Sequence, residues 1–368
     1  MHMILSCNYE ILTNKCCFYQ CCCLNLRNSS LRAMKNNDIL AMETDVVRKL
    51  CDYILLNAYS VNSTGLYNGK AGFALCLFDV AYKLHDEYLE EQAYELLQEA
   101  LLSRNEDISF ENGLSGIGYV LLYLMRQQYV EADFEEVFGT ILNRIVEKAT
   151  KEQVAVTVCI RMICFFQDLS RHGIYQAERL LYTFLKVATR WIEQLFTRTN
   201  NRQVISICEN LPYVIAYLQT LCYCLPEIKI NSYRNAVDAY TSFYTVEKSV
   251  SNLFIGHYLY LLARHEEIAD WENVALQNME AGTANLRQIP LSLAQTIDTL
   301  SVLKYYSQTH TKLITQLEKP FFEITAMETL QTNIVNRIGK NCLMSGYQYG
   351  IARLLRYWAH RDNPVTLL

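Results

Sequence analysis

"FENGLSGIGYVLLYL" occupies residues 110–124 and places Gly113, Gly116 and Gly118 at the mouth of an apolar run. Glycine costs roughly 0.8–1 kcal/mol against alanine inside a helix, so three so close together need a reason other than local propensity. The run behind them, Val120-Leu121-Leu122-Tyr123-Leu124, is apolar on every side of a helix. That pattern marks an element surrounded by protein. A related pattern returns as "GLYNGKAGFALCLFDVAYKL" (65–84), with Gly69 and Gly72, and as "NCLMSGYQYGIARLLRYWAH" (341–360), with Gly346 and Gly350.

Four more apolar segments hold the same place in the cycle without the glycine pair: "VAVTVCIRMICFFQDL" (154–169), "ENLPYVIAYLQTLCYC" (209–224), "SNLFIGHYLYLLARH" (251–265) and "LSLAQTIDTLSVLKYY" (291–306). With Gly69, Gly113, Ala155, Asn210, Leu253, Ala294 and Gly346 as markers, the steps are 44, 42, 55, 43, 41 and 52 residues. A period in the forties marks a helical repeat, each unit being one hairpin. The intervening segments are one-sided. In 85–104, Leu89, Ala93, Leu96, Leu97, Ala100 and Leu101 share a face, while Glu90, Glu91, Glu95 and Glu99 lie largely elsewhere. Outer helices are expected at 38–57, 86–103, 131–149, 175–196, 232–247, 266–282 and 310–336. The expected fold is all-α, seven outer and seven inner helices. An open solenoid ends in atypical polar caps. The first and last repeats here carry glycine signatures like an interior one, which favours closure into an α/α toroid.

The 368-residue chain is 51% hydrophobic, enough for a large core, and its 5 prolines interrupt few helices. A net charge of -5 leaves no basic footprint for nucleic acid. No run of about 18 apolar residues suggests a membrane span. Residues 1–33 hold Cys7, Cys16, Cys17, Cys21, Cys22 and Cys23, six of the 14 cysteines. Asn8, Glu10, Asn14 and Lys15 break any signal-peptide core there, and no His or second spaced pair completes a zinc pattern. That stretch is read as a disordered or non-native extension, with the true start at Met34 or Met42 and a single domain over 34–368. The other cysteines sit among apolar residues, as reduced core thiols do, so a cytoplasmic location is expected.

The recurring "NGLSGIGYVLLYL" and "GLYNGKAGFALCL" motifs resemble the glycine motif of the lanthionine synthetase C (LanC-like) family over roughly residues 40–360. The resemblance implies an α/α toroid. It also implies one zinc ion that activates a peptide cysteine for addition to dehydroalanine or dehydrobutyrine, a thiolate being the nucleophile. The family's ligands are a Cys in the fifth repeat and a Cys-His pair in the sixth, with an acid/base His in the fourth. Laid on "VSNLFIGHYLYLL", the fifth-repeat Cys becomes Ser251; on "LAQTIDTLSVL", the Cys-His pair becomes Ala294 and Gln295; on "NLPYVIAYL", the His becomes Tyr213. No cysteine occurs between Cys224 and Cys342, and His257 and His265 are the only imidazoles of the fifth repeat. Soft-ligand zinc chemistry has no ligands there, so no metal and no cofactor are expected.

The expectation is therefore a zinc-less pseudoenzyme or divergent partner in making, modifying or exporting a ribosomal peptide. It would bind that peptide where inner helices begin, among Asn112, Glu209, Asn210, Tyr213, Asn252, Gln295 and Tyr347. Two rivals remain: a divergent thioether cyclase using Tyr213, Ser251 and Gln295, and a sugar-cleaving toroid using Glu209 with Asp298 as its second carboxylate.

Overall fold

All of residues 114–124 are buried, as a helix apolar on every side requires. The computed structural model describes residues 43–197, 201–225, 232–243, 251–286, 290–322, 327–339 and 342–362. The expected extension over 1–33 lies outside the described residues. Among them the secondary structure is helical with no strand: α1 (43–58), α2 (Lys70–Leu84), α3 (Glu87–Leu101), α4 (Leu114–Arg126), α5 (Phe134–Lys151), α6 (Val156–Arg171), α7 (Glu178–Thr197), α8 (Asn201–Cys224), α9 (Ser232–Phe243), α10 (Ser251–Glu266), α11 (Ala269–Asn285), α12 (Leu293–Tyr305), α13 (Ser307–Phe322), α14 (Met327–Val335) and α15 (Ile351–Ala359).

Two kinds of helix alternate. In α3 one face is buried, through Leu89, Ala93, Leu96, Leu97 and Ala100, and Leu101 is only partly covered. Asp86 caps it by accepting from the Leu89 N–H at 3.3 Å, and Glu87 and Glu90 place negative charge at the positive end of the helix dipole. α5 begins the same way, Asp133 accepting from Glu135 and Glu136 N–H at 2.8 and 3.0 Å. By contrast α2, α4, α6, α12 and α15 are buried over most of their length. Each fully buried Leu or Phe side chain contributes about 1.5–3 kcal/mol of apolar transfer energy. The core helices α2, α4, α6, α8, α10, α12 and α15 each pack on the next in that series, and α15 packs on α2. The one-sided helices pack on them from outside, as in α2 with α3, α6 with α7 and α10 with α11.

The glycine motif is a folded-back loop. The first N–H of α4, from Leu114, donates to the Asp107 carbonyl at 2.8 Å; Lys70 at the start of α2 does the same to Ser63 at 3.1 Å, and Ile351 at the start of α15 to Met344 at 2.8 Å. These bonds satisfy donors that a helix N-terminus leaves unpaired. The backbone then returns so closely that a Cβ at Gly116 would lie 2.1 Å from the Phe110 carbonyl oxygen. Neighbouring loops are also stitched together: Tyr67 N–H donates to Glu111 O at 2.7 Å, while Tyr347 and Gln348 N–H donate to Tyr67 O at 2.8 and 3.0 Å.

Three boundaries differ from the expectation. The seventh motif is in register through Gly350, the N-cap of α15, and not through Gly346, because the same seven-residue fold-back that closes Ser63–Lys70 and Asp107–Leu114 closes Met344–Ile351, which puts Gly350 where Gly69 and Gly113 stand. α8 starts at Asn201, before the expected 209, because nothing in "NRQVISIC" breaks a helix; Pro212 lies inside it. The outer helix expected at 310–336 is two helices, α13 and α14.

At their C-terminal ends the core helices share buried charge. Arg356 Nε on α15 donates to Asp79 Oδ2 on α2 at 3.1 Å, and both side chains are fully buried. Tyr123 on α4 donates to the other Asp79 oxygen at 2.9 Å. Asp168 on α6 accepts from Arg126 at 3.1 Å, Arg171 at 3.3 Å and Tyr223 at 2.5 Å.

Candidate functional site

Helices α6, α8, α10, α12 and α15 enclose a cavity of about 480 Å³, within the range of small-molecule and peptide-side-chain sites. Its wall takes Arg161 from α6, Pro212, Ile215 and Gln219 from α8, Ser251, Phe254, His257 and Tyr258 from α10, Ala294, Gln295 and Asp298 from α12, Gln348 and Tyr349 from the turn before α15, Arg353 from α15, and Tyr67 from the first glycine loop. Helical spacing explains the selection. On α10, Ser251, Phe254 and Tyr258 are three and four residues apart; on α12, Ala294, Asp298 and Ser301 repeat the pattern.

Three of the four family-equivalent positions, Ser251, Ala294 and Gln295, meet on this wall. Tyr213 does not join them. Its neighbour Pro212 does, while the Tyr213 ring is 40% exposed and packs edge-on against Trp191 at 6.4 Å. The other expected cavity residues are placed elsewhere. Asn112 is exposed, its carbonyl accepting from Asn105 Nδ2 at 3.0 Å. Asn252 is buried against α11, donating to Asn278 Oδ1 at 3.0 Å. Tyr347 is buried and its hydroxyl accepts from Arg356. Asn210 is partly buried on α8, outside the wall. The Glu209 side chain lies outside the described residues.

The donor set does not suit zinc. Ala294 has no ligating atom, and the Gln295 side-chain oxygen is used in a capping box, accepting from Ser292 N–H at 3.0 Å while its own N–H donates to Ser292 Oγ at 3.2 Å. A Ser hydroxyl cannot replace the thiolate that a structural or thiol-activating zinc takes. Among the described residues no three His, Cys, Asp or Glu side chains gather in a metal-binding arrangement. Cys222 and Cys224, two residues apart at the end of α8, are not ligands in waiting: Cys224 is buried and Cys222 donates to the Tyr258 carbonyl at 3.3 Å.

Sequence reasoning passed over the two arginines of the wall, Arg161 and Arg353. Asp298 accepts from Arg353 through both Nε, at 3.0 Å, and Nη2. It is thus an ion-pair partner, not the second free carboxylate of a sugar-cleaving pair. Arg161 Nη1 donates to Gln219 Oε1 at 2.7 Å. Their signal was present in the sequence as arginines interrupting otherwise apolar core segments, one in "VCIRMICFF" and two in "GIARLLRYW". His257 is 8% exposed, with Nδ1 3.1 Å from the Tyr306 hydroxyl and the rings of Tyr258 and Tyr305 beside it.

Burial pushes His257 down to about 4 from its ordinary 6.5. Between those values the unfolded chain holds the proton and the folded chain does not, so stability falls as pH drops from about 6.5 to about 4. The loss is of order 3 kcal/mol across that window. Urea melts at pH 7, 5.5 and 4.5 should show it, and His257→Gln should flatten the slope; an equal slope in the variant would assign the acid sensitivity elsewhere.

No family model matches the chain, and no curated protein matches it. Among the described residues no helix is long and apolar enough to cross a membrane.

Proposed function

We propose that the chain is a LanC-like α/α toroid without zinc, acting in the cytoplasm as a non-catalytic partner in the maturation or export of a ribosomal peptide, and that it holds a segment of that peptide in the cavity where the core helices begin. The observation that carries this is the meeting of Ser251, Ala294 and Gln295 on one cavity wall. They stand at the starts of α10 and α12, two neighbouring core helices, at the positions that the resemblance aligns with the family's ligands in two repeats. Closure of the seven hairpins is supported by the packing of α15 on α2 and by the Tyr347–Tyr67–Glu111 backbone stitches. The wall suits a peptide: Tyr67, Tyr258, Tyr305 and Tyr349 offer apolar faces with hydroxyl ends, and Gln348 and Ser251 offer amide and hydroxyl partners for a backbone.

Loss of the thiolate and imidazole donors leaves binding as what the pocket retains. Ser251→Trp, which places a large ring in the cavity mouth, is expected to abolish retention of a pool of randomised hexapeptides on immobilised protein while leaving the circular-dichroism spectrum helical. Equal retention by the variant would place peptide binding outside this cavity. Metal analysis of the purified full chain tests the zinc-less half: well under one equivalent is expected, and one equivalent of zinc lost on replacing α10 and α12 side chains would overturn it.

A further inference from the structure

The cavity wall is unbalanced in charge. Arg353 is matched by Asp298, which takes two of its donors. Arg161 has no such match: among the described residues its one hydrogen-bond partner is the neutral Gln219 amide oxygen, and no carboxylate stands within ion-pair distance. Arginine stays protonated in proteins and carries five N–H donors in a planar fork. A partly buried guanidinium with most of its donors unspent is costly unless an anion meets it. Glu111, in the second glycine loop, is a carboxyl whose field reaches Arg161. It makes no ion pair with it, and burial raises its pKa, so it holds its charge less readily than a surface glutamate. Tyr67 and Tyr258 line the same cavity as Arg161.

We propose that Arg161 is a carboxylate subsite: its fork receives a carboxylate of the peptide bound in the cavity, from that peptide's C-terminus or from one of its Asp or Glu side chains, with Gln219 holding the guanidinium in place. The subsite rests on the peptide-binding reading of the cavity. It adds a direction or a sequence preference to that binding, because only a segment with its carboxylate at the α6–α8 side satisfies Arg161. Charge-assisted, bidentate pairing is the strong form of hydrogen bond.

The test uses the immobilised full chain and three N-acetylated hexapeptide pools made from uncharged residues: one ending in a free acid, one ending in an amide, and one ending in an amide with a single glutamate. The wild type should retain the free-acid or the glutamate pool about tenfold or more over the neutral pool, a gap of about 1.4 kcal/mol, and which of the two it favours names the source of the carboxylate. Arg161→Gln should erase the preference. Gln219→Glu, which leaves Arg161 in place but supplies a neutralising carboxylate beside it, should erase it too, and it serves even if Arg161→Gln fails to fold. Equal retention of all three pools by the wild type overturns the subsite while peptide binding stands. So does an acid preference that survives in a folded Gln219→Glu variant. Retention of no pool overturns peptide binding, and the subsite with it.

Discussion

Asp79→Ala is expected to cost about 3–5 kcal/mol, the usual loss when one partner of a buried ion pair is removed. The reason is what it leaves behind. Arg356 is fully buried, and its Nη2 already lacks a partner. Its remaining support is the Tyr347 hydroxyl and the faces of Tyr123 and Tyr347, 4.9 and 5.6 Å from the guanidinium carbon. Without Asp79 the Tyr123 hydroxyl and His360 also lose an acceptor, at 2.9 and 3.0 Å. The pair itself is a poor source of net stability, because desolvating both charges offsets most of their attraction. The double variant Asp79→Leu, Arg356→Met should therefore recover most of the loss. Urea denaturation of the three proteins decides it: a single-variant loss below about 1 kcal/mol, or a double variant no better than the single, would mean that water reaches the pair.

Gly116→Ala should be destabilising by on the order of 3 kcal/mol, at the upper end for overpacking, although alanine is the better helix former. The added methyl would sit 2.1 Å from a backbone carbonyl, Phe110 O, and 3.0 Å from Leu66 Cβ of the neighbouring loop. A carbonyl held in the folded-back loop cannot rotate aside as a long side chain can. Gly139 on α5 is the internal comparison: a Cβ there meets only Glu135 Cβ at 4.0 Å. Gly139→Ala should stabilise by roughly 0.5–1 kcal/mol. Thermal melts of the two variants should move in opposite directions; movement in the same direction would show that helix propensity, not the close approach, governs position 116.

What could be read from residue order alone follows from range. Helix type is set within a few turns, so the alternation of one-sided helices with helices apolar all round was legible from 85–104 and 114–125. The glycine motif was legible because its hydrogen bonds span only seven residues, Leu114 to Asp107 among them. The Gly350 register was missed because Gly346 and Gly350, four residues apart, correspond to Gly65 and Gly69 and not to the three-residue pair Gly69 and Gly72. The charged pairs were hidden for a plainer reason. Asp79 meets Arg356 across 277 positions and Asp298 meets Arg353 across 55, so a lone Asp or Arg in an apolar segment announces a buried partner without naming it. Asn112, Asn252 and Tyr347 have the right residue types and the right distance from the helix starts. Asn112 and Tyr347 lie in the loops before α4 and α15, where the loop path turns them to Asn105 and Arg356, and Asn252 is rotated on α10 toward Asn278 of α11; spacing by repeat marker resolves neither loop path nor helix rotation.

The packing of α15 on α2 also separates the order of helices along the chain from their order in space. Glu43, at the start of α1, accepts from Trp358 Nε1 at 2.5 Å and from Arg361 Nη1 at 2.9 Å, and Lys83 reaches the Trp358 carbonyl at 3.0 Å. Residues at the two far ends of the helical array are therefore in side-chain contact. A short linker could join them, and the backbone could be opened instead in the exposed turn between α4 and α5, with every helix keeping its neighbours. Such circular permutation suits domains whose ends lie side by side. Order along the chain and order in space are thus distinct: α15, the last of the core helices, is a spatial neighbour of α2, the first.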